Sequence, residues 1–334
     1  MIFSAGYNLN YSLYTASFSK LVCSYNDILE VFFPFPNEPS GRPPIIINDK
    51  NDFALKTFID DLTYIKNNGK KLNLLLNGNC YGQNAISNIL LQHIDDILCF
   101  LKEHNCYPEI ITTTSIHIAK YIKNKYNNIE LRASVTFDIH ELQGIKYLAD
   151  FFDGYYLSLS KQRDIAYVKK INDWCILNNK KLCLLPNSSC IGNCPFIAYH
   201  ANLVAHDTIK QNNNINDNIP CMHIWNKYGA SESLKGVWIR PEDICHYENI
   251  CYLMKLTTRM HENPKKIFDA YILKKYNGNL FELLDPYYPV FNSLYLDNNK
   301  FPDNWFEITS KCNHNCINCK YCENIFTNIC YTIK

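Results

Sequence analysis

Leu72-Asn-Leu-Leu-Leu-Asn77 is a short apolar run, followed by the amphipathic stretch Asn84–Glu103, then Glu109-Ile-Ile-Thr-Thr-Thr114, Ile116–Tyr126 and Leu131-Arg-Ala-Ser-Val135. Near-continuous apolar strands that alternate with segments of helical period predict a parallel sheet covered on both faces. The rhythm extends outward in both directions. Leu29–Phe35 and Asn51–Asn67 precede it, and Tyr155–Leu159, Lys161–Leu177, Leu182–Pro186, Val237–Pro241, Cys251–Leu256 and Pro264–Lys275 follow. Eight strand runs predict a closed (β/α)8 TIM-like barrel with a C-terminal cysteine-rich extension. A doubly wound open sheet is the competing arrangement. The barrel is expected to span residues 1–278. Residues 279–334, with Pro286, Pro289 and Pro302, leave the βα rhythm and read as a strap leading to a metal-binding tail. The Asn-rich run Gln211–Asn218 reads as a loop.

With 334 residues, 47% of them apolar, the chain can bury a large core. A net charge of +1 gives no broad basic surface for nucleic acid or anionic membrane. No apolar run nears the roughly 18 residues of a membrane span, and the first residues lack the marks of a signal peptide. Sixteen cysteines without a shortage of core suggest reduced thiols in a cytoplasmic protein, not disulfide staples.

The cysteines are clustered. Cys312, Cys316, Cys319 and Cys322 fall within eleven residues, and Cys190 and Cys194 form a second tight pair with Cys221 downstream. Thiolates this close repel one another unless a metal neutralises them, and soft sulfur ligands select zinc, copper(I) or iron–sulfur clusters. If strand ends converge on one rim, Cys80, Cys190, Cys194 and Cys221 supply the four ligands of a barrel cluster, with Cys183 or Cys245 as substitutes for Cys80. The tail suits zinc or a second cluster. Its Cys-x3-Cys-x2-Cys spacing is also that of radical S-adenosylmethionine enzymes, but there the motif follows the first barrel strand, and here it follows the whole barrel pattern. Arg240 at the end of the seventh run and Lys255 and Arg259 at the end of the eighth are candidates to grip a carboxylate. His200 is a further candidate on the helix after the cysteine pair. The motifs GxSxG, HExxH, GxxxxGK[ST] and GxGxxG are absent, which weakens hydrolase, kinase and dinucleotide readings.

The segments Asn187-Ser-Ser-Cys190-Ile-Gly-Asn-Cys194-Pro-Phe-Ile-Ala-Tyr-His200 and Trp238-Ile-Arg-Pro-Glu-Asp243, with Lys255 and Arg259, resemble the collagenase-like peptidases of family U32. Leu75-Leu-Asn-Gly-Asn-Cys80, Tyr276-Asn-Gly-Asn-Leu280 and the tail extend the likeness along nearly the whole chain. The resemblance implies a barrel carrying an oxygen-sensitive [4Fe–4S] cluster. In the hydroxylase-type branch it implies O2-independent hydroxylation of a small molecule, peptide or RNA base, with prephenate as oxygen donor. It leaves open a peptidase, and a non-catalytic cluster-bearing subunit paired with a homologous partner.

Overall fold

The computed structural model describes residues 1–47, 52–206 and 220–333. The run Gln211–Asn218 lies outside them. Eight parallel strands close into a barrel in chain order. They are β1 (Phe3–Gly6), β2 (Ile28–Pro34), β3 (Lys71–Leu76), β4 (Ile110–Thr113), β5 (Glu130–Ala133), β6 (Gly154–Tyr156), β7 (Lys181–Leu184) and β8 (Leu253–Leu256). Closure comes from β1 pairing with β8, Ser4 opposite Lys255.

Two strand assignments from the sequence need correction, and they offset each other. β1 was missed: it has four residues and carries a polar Ser4, so it lacks the long apolar signal. Val237–Pro241 is not a barrel strand. It is buried, but its backbone bonds to the segment after β7, through Ile239 N to Pro186 O at 2.7 Å and Val237 N to Cys190 O at 3.2 Å. β7 instead pairs directly with β8, Leu184 opposite Met254, leaving no place between them.

The surrounding helices include Asp52–Asn67, Asn88–Glu103, Ile116–Lys125, Ile165–Leu177 and Pro264–Ile272, close to the predicted periods. Side-chain caps set several of their starts. Ser87 accepts from Leu90 N, Ser115 from Ile118 N, Asp164 from Tyr167 N and Asn263 from Lys266 N. Each satisfies a donor that the first helical turn leaves free.

Inside the barrel the residues are partly charged. Arg132 and Glu30, both fully buried, pair at 2.8 Å, and Arg132 Nε reaches Glu130 at 2.7 Å. Glu30 also accepts from Asn73, which in turn accepts from Thr112. Removing one member of such a pair leaves an unpaired buried charge, which destabilises the fold.

After the last barrel helix the chain straps across the structure. Asn279 accepts from Leu296 N and Phe281 N and donates to Leu294 O. β9 (Leu294–Leu296) pairs antiparallel with β10 (Cys330–Thr332). Trp305 stacks on Trp238 with centroids 6.0 Å apart, and the Arg163 guanidinium lies 5.3 Å from the Trp305 ring. The misassigned 237–241 segment is thus the surface on which the strap docks. Among the described residues no helix is long and apolar enough to cross a membrane.

Candidate functional site

Strand ends and βα loops on the C-terminal side of the barrel enclose a cavity with room of about 120 Å³ for water-sized molecules. Apolar walls come from Phe32, Leu75, Leu159 and Leu185, and polar groups from Arg42, Asn77, Ser188, Cys190, His200, Lys255 and Arg259. Apolar walls with a few convergent polar groups at this end of a barrel are the usual form of a small-molecule site.

Sequence order explains the assembly. Lys255 is an inward residue of β8, and Arg259 follows four residues later at the strand's mouth. Asn187, in the segment just past β7, ties the site together. Its amide donates to Thr257 O at 2.9 Å and Leu283 O at 3.1 Å, and its oxygen accepts from Thr257 N and Oγ1 at 2.8 Å each. One side chain therefore joins the segment after β7, the residues after β8 and the strap. Ser189 Oγ donates to Pro286 O at 2.6 Å, a second tie from the cysteine loop to the strap.

The cavity is cationic. Arg42, Lys255 and Arg259 line it, and among the described residues no Asp or Glu does. Arg259 donates to Ser40 Oγ and Pro43 O, while its Nε has no partner. Burial pushes its guanidinium down to about 9, the nearby Arg42 adds to the fall, and Asp285 opposes it. Burial pushes Lys255 down to about 7, against the pull of Glu30. His200 is also lowered, by burial first and then by Arg42. These shifts are the signature of positive charge taken out of water without a matching anion.

Sequence reasoning found Lys255, Arg259 and His200, and the structure brings all three to the cavity. It does not bring Arg240 there. That side chain lies over the Phe301 ring at 4.5 Å, bonds to Asn298 at 3.1 Å and pairs with Glu242 at 3.3 Å, all on the strap side. The expectation rested on a strand end that the 237–241 segment does not form. Arg42 was missed. The signal was Ser40-Gly-Arg-Pro-Pro44, a cation in the loop just past the end of β2.

The thiols form two groups. Burial raises Cys221 to about 11, and Cys190 and Cys194 add to the rise, so these three feel one another's charge. Cys221 donates to Tyr288 Oη at 3.7 Å. Cys80 accepts from Gly82 N at 3.4 Å and is not among the charges that shift Cys194. Cys183 is fully buried in β7 and Cys245 is exposed, so neither sits in the cysteine loop. In the tail, burial first and then Cys312, Cys316 and Cys319 raise Cys322, to about 11. Thiols that raise one another in this way lose their protons more readily when a bound cation offsets the charge. Among the described residues, no three His, Cys, Asp or Glu side chains are gathered closely enough to hold a metal ion as they stand.

The two groups flank one short segment. Cys322 reaches Leu234 O at 3.9 Å, and Val237 N donates to Cys190 O at 3.2 Å. Between them, a Cβ at Gly192 would lie 2.3 Å from Lys235 O. Gly192→Ala is therefore expected to force the cysteine loop off this segment. The cost is about 1–3 kcal/mol of stability, read as a lower denaturant midpoint at unchanged slope.

No family model matches the chain. A curated relative, the uncharacterized protease MJ1657 of Methanocaldococcus jannaschii, is 25% identical over 311 residues, covering 89% of this chain and 87% of the relative. Among solved structures, the U32 peptidase Mk0906 superposes with a TM-score of 0.55 at 13% identity, covering 77% of this chain and 92% of that one. The second likeness shows the shared fold. The first adds a likeness in sequence along most of both chains.

Proposed function

We propose that this U32-type barrel is an oxidoreductase that modifies an anionic small molecule at the barrel mouth without O2, using an iron–sulfur centre held by the cysteine loop. The observation that carries the reading is the meeting of Arg42, Lys255 and Arg259 in a cavity whose wall also contains Cys190. Cys190, Cys194 and Cys221 would be the cluster's ligands, with Cys80 the fourth candidate, and Cys312, Cys316, Cys319 and Cys322 would hold a second cluster or zinc. Such a centre supplies one-electron transfer when bound.

The chain's own residues do the rest. Arg42 and Arg259 present guanidinium donors to a carboxylate, the geometry in which arginine binds most strongly. Phe32, Leu75, Leu159 and Leu185 exclude water, which strengthens those contacts. His200 stays neutral in this setting and can accept a proton from bound substrate. A dicarboxylate such as prephenate matches the excess positive charge.

The names of the relatives suggest a peptidase instead. Cys190 and His200 both line the cavity, so a thiol nucleophile with a histidine base is the hydrolytic alternative. A thiolate beside His200 would raise it, and burial and Arg42 lower it. The three cations of the lining suit an anionic ligand better than a neutral peptide bond, and that favours the oxidoreductase. Anaerobic purification should yield a brown protein containing iron and sulfide that binds prephenate. Colourless, iron-free protein after anaerobic reconstitution, cleaving peptides unaided, would reverse the choice.

A further inference from the structure

Lys255 is held in an unusual way. Its Nζ lies 3.9 Å from the centroid of the Phe32 ring and 4.8 Å from that of Tyr156. The residue is only 6% exposed, yet it lines the cavity. Among the described residues its amine has no hydrogen-bond or ion-pair partner beyond those rings. Two further groups in the same wall, Arg259 Nε and Ser188 Oγ, are also left without partners. A bare amine beside two guanidiniums matches a ligand with a carbonyl next to a carboxylate.

We propose that the Lys255 amine is a nucleophile that forms an imine with the carbonyl of a 2-oxo acid whose carboxylate is held by Arg42 and Arg259. This rests on the anionic small-molecule reading of the cavity and deepens it, and it needs no metal. The nitrogen lone pair attacks the carbonyl carbon, and the oxygen takes up a proton to give a carbinolamine. Loss of water then forms the C=N bond, and both amine protons leave with the carbonyl oxygen. His200, in the same wall, can relay the proton.

Attack requires an unprotonated amine. The groups facing Lys255 are Glu30 on β2, Arg132 on β5, Tyr156 on β6, Cys183 on β7 and Arg259 past β8. Burial dominates and brings the amine to about 7; Arg259 and Arg132 push the same way, and Glu30 and Cys183 oppose. The two rings favour the ammonium form and so act against burial. Near neutral pH about half of this amine is therefore free, whereas an exposed lysine has on the order of one part in a thousand.

The full chain is incubated with pyruvate and cyanoborohydride, which delivers hydride to the imine carbon, and peptides are mapped by mass spectrometry. Lys255 should gain the mass of pyruvate less one oxygen, ahead of the other lysines. Labelling should rise as pH passes upward through about 7. Acetate, which has the carboxylate but no ketone, should slow it. Lys255→Arg keeps the positive charge and should abolish the adduct while acetate still binds. Calorimetric binding of pyruvate with adducts only on surface lysines would overturn the imine and leave the anion site standing. Failure of both pyruvate and acetate to bind the wild-type chain would overturn the two together.

Discussion

Arg259→Ala is expected to weaken binding of a dicarboxylate such as prephenate about tenfold to a hundredfold. A hydrogen bond between charged partners contributes about 1.5–3 kcal/mol, and about 1.4 kcal/mol is a factor of ten. The guanidinium is buried and keeps one donor, Nε, without a partner. Although burial brings it down to about 9, it remains charged at neutral pH, beside Arg42. An arriving anion therefore meets a charge that the fold has left uncompensated. The fold loses bonds to Ser40 and Pro43 in this variant and is relieved of the repulsion from Arg42, so the two effects on stability oppose each other. Arg42→Ala should weaken binding in the same direction, and it also frees the strap carbonyl of Asp285. Arg240→Ala is the informative control. It should leave affinity unchanged while loosening the strap at Asn298 and Phe301. Calorimetric titration reads all three. Equal loss in Arg240→Ala and Arg259→Ala would show that the effect travels through the strap, not through the cavity.

The contrast between these arginines shows what the sequence made legible. Alternating apolar runs and helical periods are strong, local signals, and they specified a barrel because burial on both faces demands continuous apolar strands. Lys255 and Arg259 followed because β8 was placed correctly, so its inward phase and its end were right. Arg240 failed with the strand on which it was placed. Val237, Trp238 and Ile239 are buried like strand residues, but what they bury against is the cysteine loop and Trp305. Composition does not distinguish those two uses of an apolar run. β1 was invisible for the opposite reason, since barrel closure by four residues leaves little pattern to see. Arg42 is in a loop, where no period exists, and only the rule that chemistry gathers in loops after strands pointed toward it. The cysteine spacing set apart two groups of thiols, but not that one segment, 234–237, lies between them.

That shared segment gives the cysteine variants their sharpest use. Cys190→Ser and Cys194→Ser should each reduce the iron bound by the barrel in anaerobically reconstituted protein to background, because a hydroxyl is a poor ligand for a soft metal. Cys99→Ser and Cys175→Ser should leave it unchanged. The first is exposed on the helix Asn88–Glu103 and bonds to Glu103, and the second is buried in the helix Ile165–Leu177. Truncation before Lys311 should remove only the tail's share of metal. The cut keeps Trp305 stacked on Trp238, so the segment under the cysteine loop stays covered. It removes Cys322 from Leu234 O and Glu323 from Lys235, contacts on the far side of that segment from Cys190. If the tail and barrel thiols are separate sites, serine variants and truncation will deplete different portions of the metal and their losses will add. If either change alone strips all metal, the thiols on both sides of residues 234–237 form one site, and the division of the cysteines into a loop group and a tail group fails.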